Sequence, residues 1–244
     1  EPLGRALRRH LEAPGAAEPL LFWSDLRPRQ PEAIPASVFF RTPAEMPPLE
    51  QRALELCRQR GGRVLDVGAG AGSHALALAG AVEAVEAVDV CPEAVEVMRL
   101  RGIRARRRSL WDLRDLPKVG TVLLLMNTAG VVGSLPHLRD FLQQLHAATP
   151  PDCQVLLDVS PPDWPAVRAA ARRRAEPLPR DSFADEEWAV LRCWLSLGAA
   201  CGRSFPMLYC EAWAAAAAAE QAGWRAEVAA EEPGTRHALL LLGK

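Results

Sequence analysis

The amino-acid sequence predicts an α/β protein built on a mostly parallel sheet, with helices on both faces and an antiparallel strand closing it. Three observations carry the prediction. From Arg63 onward, short β-rich runs alternate with stretches of helical period, as repeated strand-helix-strand units require. One of those runs, Arg63 to Val67, leads straight into the glycine-rich turn Gly68-Ala69-Gly70-Ala71-Gly72, and that turn opens a helix. Near the C terminus, two further runs are joined only by Glu231-Glu-Pro-Gly-Thr235, which is too short for anything but an antiparallel return.

The elements follow in order. Prolines 2, 14, 19, 28, 31, 35 and 43 leave room for only short helical pieces, such as Leu3 to Leu11, so residues 1–47 are expected to form an arm or lid. Residues 48–244 are expected to form the main domain. Leu49, Ala53, Leu54, Leu56 and Cys57 are spaced for a helix that starts at Pro48 and stops at Gly61-Gly62. The alternation then runs as strand Arg63 to Val67, helix Ser73 to Gly80, strand Val85 to Val90 and helix Pro92 to Arg101, where Pro92 suits a helix start. It continues as strands Ile103 to Arg108 and Thr121 to Met126, a helix from about Pro136 to Ala148, and strand Gln154 to Val159.

At Ser160 the alternation breaks. Prolines bracket an Arg-rich helical stretch around Arg172 to Arg174, and the runs Trp188 to Leu197 and Phe205 to Cys210 flank Gly198 and Gly202 as an added hairpin. The insertion 160–210 is read as a substrate cap. Trp188, Val190, Arg192 and Trp194 alternate first of all as a half-buried strand, with an aromatic wall over a substrate as the sharper reading. An Ala-rich helix, Glu211 to Ala222, ends at Gly223; its run Ala214 to Ala219 reads as helix-favouring filler. The strands Trp224 to Ala230 and His237 to Leu242 complete the sheet.

Composition bounds the function. With 244 residues, 49% of them hydrophobic, the chain can bury one large core. Its apolar runs fall short of the roughly 20 residues that cross a bilayer. The start Glu1 to His10 lacks a signal layout, so a cytoplasmic location is expected, although the first residue is not Met. A net charge of −1 provides no global attraction to nucleic acid or to an anionic membrane, which points to a small or neutral partner and leaves oligomeric state open. Six cysteines without a CxxC pair or a His at ligand spacing read as free buried thiols, and no metal site is expected. The basic run Arg99 to Arg108 has no interleaved aromatics and reads as a solvated edge strand rather than a nucleic-acid platform.

The glycine turn carries the most information. Gly68, Gly70 and Gly72 allow a tight bend and close backbone approach to a ligand, and the N–H groups at the helix start favour negative charge. The next strand ends in Asp89, where a carboxylate can accept from both hydroxyls of a ribose; as a plain alternative, Asp89 caps the helix after Cys91-Pro92. A nucleoside-containing ligand is implied. Two classes fit, dinucleotides and S-adenosylmethionine. The third glycine of a dinucleotide loop is replaced by Ser73, while Asp66 would repel a pyrophosphate yet receive an amino group. The antiparallel final pair also favours S-adenosylmethionine.

Val64-Leu-Asp-Val-Gly-Ala-Gly-Ala-Gly72 resembles the first motif of the class I S-adenosylmethionine-dependent methyltransferases, and Ala87-Val-Asp-Val90 resembles their second. The likeness covers Pro48 to Leu242. Phe39 to Glu50, Met126 to Leu135 and Ala222-Gly-Trp-Arg225 look like one bacterial subgroup of largely uncharacterised members. The resemblance implies a Rossmann-like, mostly parallel seven-stranded sheet with an antiparallel last strand, and S-adenosylmethionine as cofactor with S-adenosylhomocysteine as product. It implies that Asp66 and Gly68, Ala69, Gly70 and Gly72 line the methionine part and that Asp89, followed by Val90, holds the ribose. For adenine the candidates are Ser109 and Asp112; distance from the strand favours Ser109 with Leu110. The strand end Met126-Asn127-Thr128 departs from the Asn-Pro-Pro-Tyr signature of enzymes that methylate planar amino groups, which counts against those acceptors.

Methyl transfer from a sulfonium relies largely on alignment, and a base is needed only where the acceptor arrives protonated. Catalytic candidates are His137 and Asp158, with His137 first; against it stands the plainer and favoured reading of a His on a helix surface. His74 is expected either to face the site or to pack on its helix, and Arg41 either to face the cofactor carboxylate or, with Phe39 and Phe40, to pin the arm. The expected activity is methyl transfer to a small-molecule or peptide acceptor. Its alternatives are a silent cofactor-binding regulator, an RNA methyltransferase and a dinucleotide-dependent oxidoreductase.

Overall fold

In the computed structural model, which describes residues 1–15, 18–112, 118–167, 183–184 and 188–244, a seven-stranded sheet forms the centre. Its strands are β3 (Arg63–Val67), β4 (Ala84–Asp89), β5 (Ala105–Arg107), β6 (Thr121–Leu124), β7 (Gln154–Val159), β12 (Arg225–Glu231) and β13 (Ala238–Gly243). They lie in the order β12-β13-β7-β6-β3-β4-β5. β3 to β7 pair in parallel, and β13 runs antiparallel to both β7 and β12. This is the expected sheet, with β13 as its reversed strand.

Alternation along the central strands separates two cores. Val64, Leu123, Leu125, Leu156 and Leu239 pack against Leu49, Ala53, Leu54 and Cys57 of α2 (Pro48–Arg60). Leu65, Val122, Leu124, Val155, Leu157 and Leu240 face α5 (Leu135–Ala148) and α6 (Ala212–Gln221). A strand covered on both sides must be apolar at every position, and all of β6 is buried. Ala215 and Ala219 belong to this second core, so the alanine run is more than filler: side chains without bulk let α6 lie close to α5. Two shorter helices, α3 (Ser73–Leu78) and α4 (Pro92–Leu100), pack beside β4 and β5.

A second sheet sits apart from the first. The expected hairpin, β9 (Trp188–Leu197) with β11 (Phe205–Cys210), is present, but it does not stand alone. β1 (Leu20–Ser24) pairs antiparallel with the C-terminal half of β9 and with β2 (Glu32–Ile34). The short β8 (Phe183–Ala184) and β10 (Ala200–Cys201) complete it. Segments some 170 positions apart in sequence are joined here through Trp23 and Trp194, whose rings stack 6.0 Å apart, while Trp23 Nε1 donates to Ser196 Oγ at 2.9 Å. Ahead of β1, α1 (Pro2–Glu12) buries Ala6 and Leu7, and Arg8 forks onto Glu96 of α4 at 2.8 and 2.9 Å. At Gly4 a Cβ would stand 2.6 Å from Glu93 Cβ, so α1 lies directly on the start of α4.

Arg172 to Arg174 lie outside the described residues. On the edge strand, Arg104 and Arg106 both reach Glu86, and Arg99 and Arg107 donate to backbone carbonyls, so these arginines are engaged within the fold. All six cysteines are free, five buried and Cys201 exposed in the two-residue β10. Among the described residues no helix is long and apolar enough to cross a membrane, and no group of three or more His, Cys, Asp and Glu is placed to hold a metal ion.

Candidate active site

The carboxyl ends of β3, β4 and β6 meet at one cleft. Gly68, Gly70 and Gly72 all have positive φ (69, 58 and 80°), the left-handed region that glycine enters without steric cost. Gly68 also has no room for a side chain, since a Cβ would lie 2.6 Å from Thr128 Cγ2. The loop is latched to β4: the N–H groups of Gly68 and Ala69 donate to Val88 O at 2.9 and 3.1 Å. Gly70 N–H donates to Asp89 Oδ2 and Cys91 N–H to Asp89 Oδ1, each at 2.9 Å. The backbone thus fixes the orientation of both carboxylate oxygens of Asp89, which is 7% exposed. The helix-cap reading of Asp89 is not met, because the N-cap of the following helix is Cys91 and Asp89 accepts from the N–H of Cys91 itself, not from one inside the helix. Burial raises its pKa above the ordinary aspartate value. Next to it Val90 is 61% exposed, an apolar side chain open to solvent.

Asp66 is 1% exposed, and its Oδ2 has no hydrogen-bond partner. Burial pushes its carboxyl up, and an orphaned buried carboxylate oxygen costs free energy until a donor or cation meets it. Around it lies a buried relay. His74 Nε2 meets Glu50 Oε2 at 2.7 Å, and Arg41 Nη2 donates to both Glu50 oxygens at 2.7 and 2.9 Å. Burial acts to raise Glu50, but His74 and Arg41 outweigh it and hold the carboxylate below its usual range. Burial likewise pulls His74 down, and Glu50 with Asp66 more than reverses this. Arg41 therefore already has an ion-pair partner within the protein, and its Nη2 also lies 3.8 Å from Met126 Sδ.

At the end of β6 the chain turns through two successive left-handed residues, Met126 (φ 58°) and Asn127 (φ 54°). The strand stops at Leu124 rather than Met126 for this reason. Such residues cost about 1–3 kcal/mol each and persist only where surroundings enforce them. Asp158, at the end of neighbouring β7, accepts from Asn127 N–H at 2.8 Å; burial pushes its carboxyl up to about 6. Ser109 and Leu110 follow β5, whose exit is tied to β4 by Arg108 N–H on Asp89 O at 3.0 Å. Asp112 N–H donates back to Ser109 O. His137 lies exposed in the first turn of α5, where its own N–H donates to the N-cap Ser134 Oγ.

Above the glycine loop is a cavity of about 410 Å³. Asp66, Gly68, Ala69, Gly70 and His74 line its floor; Phe22, Ile34, Leu195, Phe205 and Met207 line its roof on the second sheet. Leu125, Met126 and Thr128 stand at its side. A second cavity of about 670 Å³ lies beside Val90 and Val131, beneath α1 and the β10–β11 connection. His137 lines neither of these two cavities.

Residues 40–194 match the family model described as a methyltransferase domain. The crystal structure of an S-adenosylmethionine-dependent methyltransferase from Bacteroides fragilis, in complex with S-adenosyl-L-homocysteine, is 30% identical. It superposes with a TM-score of 0.78 over 99% of this chain and 93% of its own. The chain belongs to the class I S-adenosylmethionine-dependent methyltransferases. Two further solved structures share the fold. The CcbJ methyltransferase of Streptomyces caelestis matches at 16% identity and TM-score 0.58, covering 83% of this chain and 92% of that one. The sugar N-methyltransferase KedS8 of Streptoalloteichus matches at 15% and 0.56, covering 85% and 92%. No curated protein matches the sequence. S-adenosylmethionine is the cofactor of this methyltransferase, and the dinucleotide and silent-module alternatives are set aside.

The site's chemistry fits that cofactor. The orphaned Asp66 oxygen suits an ammonium, the paired Asp89 acceptors suit two vicinal hydroxyls, and exposed Val90 suits a flat base. Sequence reasoning missed Glu50. Its signal was present: Glu50, Ala53, Leu54 and Cys57 share the buried i, i+3, i+4, i+7 stripe of α2. A carboxylate on a buried helical face demands a partner.

Proposed function

We propose that this methyltransferase methylates a small-molecule acceptor held between the glycine loop and the second sheet. The observation that carries this is the cavity itself, which joins Asp66, Gly68 and Gly70 on one side to the apolar side chains of β1, β2, β9 and β11 on the other. A pocket of this volume and lining suits a small organic ligand, and the pairing of Arg104 and Arg106 with Glu86 supports a small acceptor over RNA. In this reading residues 1–47 and the insertion 160–210 together act as the cap over the acceptor.

When bound, S-adenosylmethionine supplies a methyl group on an already activated leaving group, so alignment is the main task left to the protein. Asp66 holds the ammonium and the backbone of Gly68 to Gly72 surrounds the methionine part. Asp89 binds the ribose, while Val90, Ser109 and Leu110 bracket the adenine. Met126 and Asn127 form the wall beside the methyl donor. His74 and Arg41 act from behind this site: through Glu50 they fix the charge beside Asp66. Glu32 is the ionisable side chain on the roof, and an acceptor that arrives protonated would release its proton to Glu32 or to water.

The test pairs two measurements. Calorimetric titration with S-adenosylhomocysteine establishes the donor site. Methyl-labelled donor is then incubated with a cell extract divided by size. Enzyme-dependent label in a small molecule separated from the donor is expected; label transferred only to protein or RNA would overturn the acceptor assignment.

A further inference from the structure

We propose that Asp158 is a positioning residue: by receiving the N–H of Asn127 it holds the left-handed Met126–Asn127 pair in place, and through that pair it sets the wall of the donor cleft. The inference rests on the reading of this cleft as the donor site.

The turn is a joint between three parts of the molecule. On one side Thr128 fills the space over Gly68, so the turn determines where the glycine loop lies. Thr128 Oγ1 is itself fixed to Leu125 O at 2.7 Å. On a second side Gly130 packs so closely under the roof that a Cβ there would lie 2.6 Å from Leu208 O of β11 and 2.9 Å from the Asn127 side-chain amide. Asn127 Nδ2 reaches the same carbonyl at 3.4 Å. On the third side stands Asp158, held by the β6–β7 pairing that places Leu124 opposite Leu157.

Asparagine tolerates the left-handed region because its short amide bonds locally; methionine has no such compensation. Met126 would leave this conformation unless something on the far side secured the peptide. Met126 is nonetheless 38% exposed and lines the cavity, with its sulfur against Arg41. An apolar side chain held open to the cleft by a strained backbone, with a half-buried carboxylate behind it, is the pattern of a wall that is positioned for the ligand. Asp158 itself does not line the described cavities, so its carboxylate serves the turn rather than the reacting atoms.

A double-mutant cycle tests this. Asp158→Ala is made in the wild type and in Met126→Gly, where glycine adopts the left-handed conformation without cost. S-adenosylhomocysteine affinity and thermal midpoint are measured for all four proteins. Loss of the carboxylate is expected to weaken binding about tenfold in the wild type and less than about twofold in the Met126→Gly background, because the backbone there no longer needs securing. Asp158→Asn, which keeps the volume and one acceptor oxygen, is expected to fall between wild type and Asp158→Ala. Equal losses in both backgrounds, or a lowered midpoint with affinity unchanged, would overturn the proposal. If the folded wild type binds no S-adenosylhomocysteine, the donor-site reading fails instead. The turn is then judged by midpoints alone: Asp158→Ala should lower the wild-type midpoint by about 3 °C more than that of Met126→Gly, and equal shifts would refute it.

Discussion

The floor and the roof of the cleft are built in opposite ways. The floor is contiguous: β3, the glycine loop, β4 and Asp89 follow one another within residues 63–91, and its key contacts are backbone N–H groups. The roof comes from residues 20–34 and 188–210, brought together by strand pairing and by the Trp23–Trp194 stack. On the proposed function, donor recognition draws mainly on local backbone geometry, and acceptor recognition on side chains whose neighbours are settled only when segments far apart in the chain meet.

If floor and roof are separable, substitutions should divide accordingly. The largest effect is expected for Asp89→Ala. Losing charge-assisted hydrogen bonds of about 1.5–3 kcal/mol each should lower S-adenosylhomocysteine affinity by about 100-fold, read by calorimetry. A change of less than about threefold would remove Asp89 from the site. Gly68→Ala comes next: a left-handed φ and contact with Thr128 should cost about 2 kcal/mol in stability and weaken donor binding as well, seen as a lowered thermal midpoint and a raised Kd. Trp23→Ala touches only the roof. It should cost about 1 kcal/mol from the lost ring stack and hydrogen bond while donor affinity stays within about twofold. A loss of donor affinity as deep as that of Asp89→Ala would show that floor and roof act as one.

The remaining comparison is a pH dependence. Asp158 has its carboxyl pushed from 3.8 up to about 6, so its contribution to stability is complete below about pH 4 and is lost as the pH rises through 6. The charges of Glu50 and His74 also act on Asp158, so the comparison must be made against Asp158→Asn. The midpoint of that variant, taken relative to wild type, should improve steadily between about pH 4 and about pH 7. A constant difference would mean that Asp158 is not held as a desolvated, penalised carboxylate.

Most of the sheet was readable because period, length and flanking glycines act locally. Strand β3, the glycine loop and Asp89 stood out for that reason, and even the antiparallel β13 followed from a loop too short for any other path. What was not readable has a common cause. Glu50 drew no reading from the sequence because its partners His74 and Arg41 meet it only in the folded chain. Met126 and Asn127 read as the end of a strand, since nothing in their own neighbourhood announces a left-handed pair; the N–H acceptor that secures it lies on β7. The N-terminal prolines suggested a loose arm, and the pairing of β1 with β9 was hidden because strand partners far apart in sequence leave no periodic trace.

The order of amino acids was enough to establish the class of fold, the family and the cofactor, because a strand, a glycine turn and an acid at the next strand end carry that chemistry in consecutive residues. The partners of Glu50 and of Asp158 emerged only in three dimensions. So did the roof that the two ends of the chain share. Those outcomes depend on burial and on contacts across the sheet, and a side chain acquires both only after the chain has folded around it.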